Sequence, residues 1–281
     1  MLGKLFKYEW KAVSKMNALL ILIAAGITAL GVIYFQTPMW KSLLEDRMTP
    51  MSGPLVVLWA VIGIGGAFAY LLVLVGVTFG QTIYLGIRYY RSMFSDEGYL
   101  THTLPVKPVH LLIAKAVTAG CWSLLLNFVL VVFILILVFA AVCGIVPITF
   151  GDIWEALLDS LAEIFRSGEG LATSLFYLAM GILSPFLRIV VLFGSLTLGH
   201  YSGKNKGLMG ILAYLGVSLV LAIIVVMCNL VLQSAVDLRD PFGQWFLVNG
   251  KDICKFVVNV PAAVGLMIWA HAIINNRLNL E

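Results

Sequence analysis

A chain that turns over a substrate must hold its nucleophile, acid–base pair or metal ligands at fixed spacing, and residues able to do so are sparse here. The nearest approach to a phosphate cradle is Gly203-Lys204, but Asn205 follows where Ser or Thr would hold magnesium. Leu198 stands where the first glycine of G-x-x-x-x-G-K-[ST] belongs, and no strand pattern precedes it. Cys121, Cys143, Cys228 and Cys254 stand apart, with no C-x-x-C pair and no nearby histidine, which argues against zinc and against a disulfide framework. There is no H-E-x-x-H and no pair of carboxylates within an apolar run, as a proton relay would need. Catalysis by this chain, or a cofactor or metal bound directly to it, is therefore not expected. Two charges fall where charge is costly. Arg188 lies inside an apolar run three residues after Pro185, about seven residues from the inner end of its helix, and Glu9 falls in the apolar sector of the N-terminal segment. Each is open to two readings, a functional charge with a partner or a side chain that snorkels to the headgroups.

The elements that carry these residues follow from composition. The chain is 61% hydrophobic and 11% charged, against about 25% charged in soluble domains, too little charge to coat a soluble globule. Apolar runs of about 20 residues recur along its length, each able to cross a hydrocarbon core of roughly 30 Å. Uninterrupted runs of this kind mean helices, since a barrel would show alternating segments of about ten residues. The fold class is all-α integral membrane, one transmembrane domain with six transmembrane helices at about residues 17–35, 54–84, 111–142, 175–198, 208–231 and 256–274. The second is overlong, and its late residues Thr78, Gln81, Thr82 and Tyr84 are expected to project past the headgroups. Gly76-x-x-x-Gly80 on that helix allows close helix approach, within the chain or across a dimer seam.

Two further helices are amphipathic. At 100° per residue Leu2, Leu5, Phe6, Trp10 and Val13 share a face opposite Lys4, Lys7, Lys11 and Lys15, so residues 1–16 are expected to lie along the inner leaflet. Gly151 to Arg166 reads as an outer amphipathic helix between spans three and four, with Asp152 and Glu155 as a capping pair and Ile153, Trp154, Leu157, Leu161 and Ile164 as its apolar face. The stretch 233–255 carries Asp240-Pro241, Gly243 and Asn249-Gly250 and reads as a turn-rich outer connection with Phe242, Trp245 and Phe246 at the interface and Cys254 within reach of the outside.

Orientation follows from the basic residues of the connections. With the N-terminus inside, the inner side holds Lys4, Lys7, Lys11, Lys15, Arg88, Arg91, Lys107, Lys115, Lys204, Lys206 and Arg277. The outer side holds Lys41, Arg47, Arg166, Arg239, Lys251 and Lys255 together with the acidic Asp152, Glu155, Asp159 and Glu163. The bias places both termini in the cytoplasm. Because the basic residues are scattered at helix ends, lipid headgroups are the expected partner and nucleic acid is not.

The connection 85–110 is the most distinctive stretch. It carries Arg88-Tyr89-Tyr90-Arg91, then Ser95-Asp96-Glu97-Gly98-Tyr99-Leu100-Thr101-His102-Thr103-Leu104-Pro105-Val106. This string resembles the corresponding loop of bacterial permease subunits of the ABC type-2 family. The resemblance extends to "LFKYEWK" near the start, "LGHYSGKNKGLMGILAYLG" from Leu198 and "NNRLNLE" from Asn275.

The resemblance implies a membrane-spanning permease of an ATP-driven exporter in a bacterial plasma membrane, one of a homo- or hetero-dimer of permeases. Each would dock a separately encoded ATP-binding cassette ATPase that supplies the ATP chemistry. Residues 85–110 would then contain the coupling element, with Tyr99, Leu100 and Leu104 as apolar anchors in a groove of the ATPase. Asp96 and Glu97 would cap that element or meet a basic patch. The alternative is a non-transporting membrane scaffold or sensor partner, and an adjacent ATPase reading frame separates the two. A stand-alone secondary transporter is disfavoured, since neither inverted halves nor broken helices with midplane carboxylates are visible.

Overall fold

Long apolar runs leave no water to satisfy backbone N–H and C=O groups, so each run closes its own ladder as a helix. The computed structural model describes residues 2–37, 40, 54–95, 98, 108–143, 150–166, 168–200, 206–235 and 241–276. They form α1 (Leu2–Phe35), α2 (Pro54–Phe94), α3 (Pro108–Cys143), α4 (Phe150–Arg166), α5 (Gly168–His200), α6 (Lys206–Ala235) and α7 (Pro241–Asn276), with no strand among the described residues. Six segments are long and apolar enough to cross a membrane: Gly3–Phe35, Val57–Phe94, Val109–Cys143, Gly170–His200, Gly207–Ser234 and Gly243–Ile274. The chain is a multi-pass all-α membrane protein. Leu22, Ile64, Phe68, Phe128, Leu219 and Ile268 are among many large apolar side chains left exposed, a surface suited to lipid and untenable in water.

Several boundaries differ from the sequence reading. The N-terminal segment and the first span are one helix of 34 residues, because nothing between Lys15 and Leu19 interrupts a helical ladder. Helix α2 has 41 residues, about 62 Å at 1.5 Å per residue, and continues ten residues beyond Tyr84. The connection before α3 is correspondingly shorter than 85–110. The stretch 233–255 is largely helical, since α7 starts at Pro241 and runs through Gly243 and Asn249-Gly250. Its turn signals are met inside the helix. Proline suits a first helical position, where no N–H partner is needed, and the Asn249 side-chain amide donates to the Trp245 carbonyl at 2.8 Å. Cys254 is thereby buried and not within reach of the outside.

The chain divides into two compact units. One comprises Ala12–Thr82 and Trp122–Ala179. Its core joins Leu20 and Ala24 of α1 to Tyr70, Leu74 and Val77 of α2 and to Leu126 and Leu130 of α3. Lipid tails are as apolar as leucine, so exclusion from water does not hold these helices together; close packing and hydrogen bonds do. The Tyr34 hydroxyl donates to the Trp59 carbonyl at 3.0 Å, and the Trp40 indole donates to the Ala141 carbonyl at 3.2 Å. Helix α4 also belongs here, and its Trp154, Leu157, Leu158, Leu161 and Phe165 remain exposed.

The other unit comprises Met1–Lys11, Ile83–Cys121 and Met180–Glu281. Its hub is the second half of α5, where residues 191–197 are all buried. Helices α2, α3, α6 and α7 all approach this hub through small residues. A side chain at Gly86 would touch Leu196 at 3.4 Å, one at Gly120 would enter the Phe186 ring, and one at Gly194 would lie 2.7 Å from Leu266 Cβ. Gly199 meets the backbone of Gly210, so α5 and α6 touch without intervening side chains. Val225, Phe246 and Cys254 close the α6–α7 contact.

Candidate functional site

The last turns of α2 concentrate the charged and aromatic side chains of the Arg88–Arg91 stretch, and three helices meet them. Residues 88 and 89 point 100° apart on a helix, so one can serve an ion pair while the other enters a core. Arg88 does the first. Its Nη2 lies 3.6 Å from Glu9 Oε2 of α1, and Lys115 of α3 donates from Nζ to Glu9 Oε1. The Lys115 side chain is only 6% exposed, against 21% for Glu9 and 32% for Arg88, so the lysine depends most on its partner. Glu9 is therefore an ion-paired residue joining α1, α2 and α3. Sequence alone did not supply Lys115 as its partner, because the two lie 106 residues apart.

Tyr89 does the second. Its ring stacks on Phe193 of α5 with centroids 4.0 Å apart and planes 8° from parallel. The Thr197 hydroxyl donates to the Phe193 carbonyl at 2.8 Å, which leaves its oxygen to accept from the Tyr89 hydroxyl, also at 2.8 Å. A buried phenol is thus fully satisfied. One turn on, Phe94 stacks on His200 at 4.3 Å, and the Tyr90 ring lies 5.8 Å from the same imidazole. At about 0.5–1.5 kcal/mol per aromatic pair beyond area burial, these contacts fasten the end of α2 to the end of α5.

Beyond Phe94 the chain turns sharply. The Gly98 N–H donates to the Ser95 carbonyl at 2.7 Å, and a Cβ at Gly98 would lie 2.6 Å from the Met93 carbonyl oxygen. Only glycine lets the backbone pass this close to the helix end. Asp96, Glu97, Tyr99, Leu100 and Leu104, the expected coupling residues, lie outside the described residues.

Arg188 of α5 is half-buried, with Nε and Nη2 shielded from solvent and without hydrogen-bond partners. The helix continues twelve residues further to His200, about 18 Å at 1.5 Å per residue, and side chains on a helix lean towards its N-terminus. The guanidinium therefore lies well before the C-terminal end of its helix.

In the other unit, Gln81 is wholly buried and does not project into a solvated extension. Its Nε2 donates to Asn17 Oδ1 at 2.8 Å and to the Trp122 carbonyl at 3.1 Å, and Asn17 Nδ2 donates to the Val13 carbonyl at 3.0 Å. An amide on an apolar helix is a signal that sequence does carry, since its burial requires a partner. Gly76 meets nothing within 4 Å, and Gly80 only Leu20 at 3.8 Å, so among the described residues this pair seats no helix closely. No group of three or more His, Cys, Asp and Glu side chains able to hold a metal occurs among the described residues. No protein-family model matches the chain, nor does any curated protein or solved structure.

Proposed function

We propose that this chain is the membrane-spanning permease subunit of an ATP-driven exporter in a bacterial plasma membrane. Both termini would be cytoplasmic, and the chain would pair with a second permease and with a separately encoded ATP-binding cassette ATPase. The observation that carries the reading is the construction of α2. A single helix leads from Pro54 to Phe94, straight into the connection that resembles the permease loop. Its last turns are held by the Glu9 ion pairs and by the Tyr89–Phe193 stack. A force applied at residues 96–107 would be passed to α1, α3 and α5 through polar and aromatic contacts that cannot slide freely. That is what a subunit driven from outside the membrane requires. The chain's own lack of a phosphate cradle agrees with a division of labour in which hydrolysis belongs to a partner.

The test is whether an ATPase encoded beside it co-purifies with the chain and shows transport-linked hydrolysis. Truncating a central interface anchor costs about 2 kcal/mol or more, roughly a thirtyfold weakening at 1.4 kcal/mol per tenfold. Leu100→Ala and Tyr99→Ala should each lose ATPase by that factor, and Asp159→Ala should not. Full association and full hydrolysis in both anchor variants would remove the coupling assignment. Stoichiometric ATP binding by the isolated chain would remove the division of labour.

A further inference from the structure

Among the described residues, the unit built around the second half of α5 contains two acidic side chains, Glu9 and Asp252. Glu9 is taken by Lys115 and Arg88, and Arg188 forms no ion pair with either acid. Tyr214 of α6 lies near it and offers a hydroxyl and not a carboxylate. A guanidinium does not shed its proton, so unlike a buried lysine it cannot escape the cost of burial by becoming neutral. A cation inside an apolar span with two shielded N–H nitrogens unmatched is a costly arrangement, and such residues in membrane proteins mark ligand or ion sites. Ser195, two helical turns further along the same face, is wholly buried, and its hydroxyl is also without a partner. The two unmet guanidinium nitrogens fit one class of ligand, an oxyanion, whose paired oxygens match the planar fork of arginine.

We infer that Arg188 is the recognition residue of an intramembrane site for an oxyanion, either the phosphate of an anionic lipid headgroup or a phosphate-bearing solute. The site does not depend on the export reading. Arg188 belongs to the hub helix whose later residues carry the Tyr89 stack, so an anion drawn to it would sit against the element to which the end of α2 is fastened.

The sign of a stability change separates this from a structural role. If Arg188 awaits a ligand, the empty protein carries an uncompensated charge, and Arg188→Gln in delipidated protein in neutral detergent should unfold at the same temperature as wild type or higher. If it pairs with an acid of the chain, the same substitution strands that acid and lowers the unfolding temperature. The ligand arms use phosphatidylglycerol in mixed micelles, phosphatidylcholine of the same acyl chains, and sodium phosphate at matched ionic strength. Wild type should be stabilised by phosphatidylglycerol over phosphatidylcholine, with half-maximal effect at a concentration at least about tenfold lower than for Arg188→Gln, the value of one lost charge-assisted hydrogen bond. Arg188→Lys, which keeps the charge and loses the fork, should fall between them. A response to the lipid alone identifies a headgroup site, and a response to free phosphate as well identifies a solute site. An unfolding temperature lowered by Arg188→Gln without ligand, failure of that variant to fold, or equal anion responses in wild type and variant would each overturn the assignment.

Discussion

Removing the carboxylate of Glu9 should destabilise the bundle more than removing either cation that it serves. Breaking a buried ion pair from one side costs about 3–5 kcal/mol, because the remaining charge is stranded. Glu9 is 21% exposed, so water softens the loss and the lower end applies, about 3 kcal/mol or roughly a hundredfold in the unfolding equilibrium. Lys115→Met is different. It replaces a side chain that is 6% exposed with an apolar one of similar length, and Glu9 keeps Arg88 at 3.6 Å, so about 1 kcal/mol is expected. Arg88→Ala, at a longer and wetter contact, should cost about 0.2–1 kcal/mol. Combining Glu9→Gln with Lys115→Met removes both charges of the tighter pair and should recover most of the loss, since apolar replacements of buried pairs are often neutral. Denaturation by sodium dodecyl sulfate in mixed micelles, followed by circular dichroism, gives the ranking. Equal costs for Glu9→Ala and Lys115→Met, or the reverse order, would show that the carboxylate is not the shared partner.

Four further outcomes can be checked. Gln81→Leu should cost about 1–2 kcal/mol in the same assay, because it strands the buried Asn17 Oδ1, and adding Asn17→Leu should return part of it. Gly194→Ala should destabilise by about 1–3 kcal/mol, since the new carbon lies 2.7 Å from Leu266 Cβ. Gly76→Ala, with open space around it, should leave the monomer unharmed, and loss of a dimer on gel filtration would then place that glycine in a seam between chains. With membrane-impermeant thiol reagents on intact cells, Lys251→Cys in a background lacking the native cysteines should label from outside and Lys204→Cys should not; the opposite pattern would invert the topology.

The six spans and the overlong second helix were legible because hydropathy and length are local quantities, and the bilayer sets the scale for both. The N-terminal end of α7 was not legible. Pro241, Gly243 and Asn249-Gly250 are turn signals when read singly, yet Asn249 bonds back to Trp245 and a side chain at Gly250 would lie 2.6 Å from the Phe246 ring. Packing outweighed propensity there. Gln81 was misplaced for the opposite reason, since polarity alone suggested solvent where a partner 64 residues away supplies the hydrogen bond. Tyr89 showed only as part of an aromatic and basic lead-in. Its stack on Phe193 joins residues far apart in sequence, and a single chain without covariation holds no trace of such a pairing.

The Glu9 ion pairs also impose an order on the making of the protein. A ribosome adding about 5–20 residues per second needs on the order of 5 to 20 s to travel from Glu9 to its lysine, 106 residues later. During that interval the first helix has left the ribosome with its carboxylate unmatched by lysine, and Arg88 is the earlier of the two cations to arrive. The weaker pair thus forms as a provisional hold that Lys115 later completes. In nascent chains stalled before α3, Arg88→Ala should weaken the association of α1 with α2, whereas in chains stalled after it Lys115 should mask most of that loss.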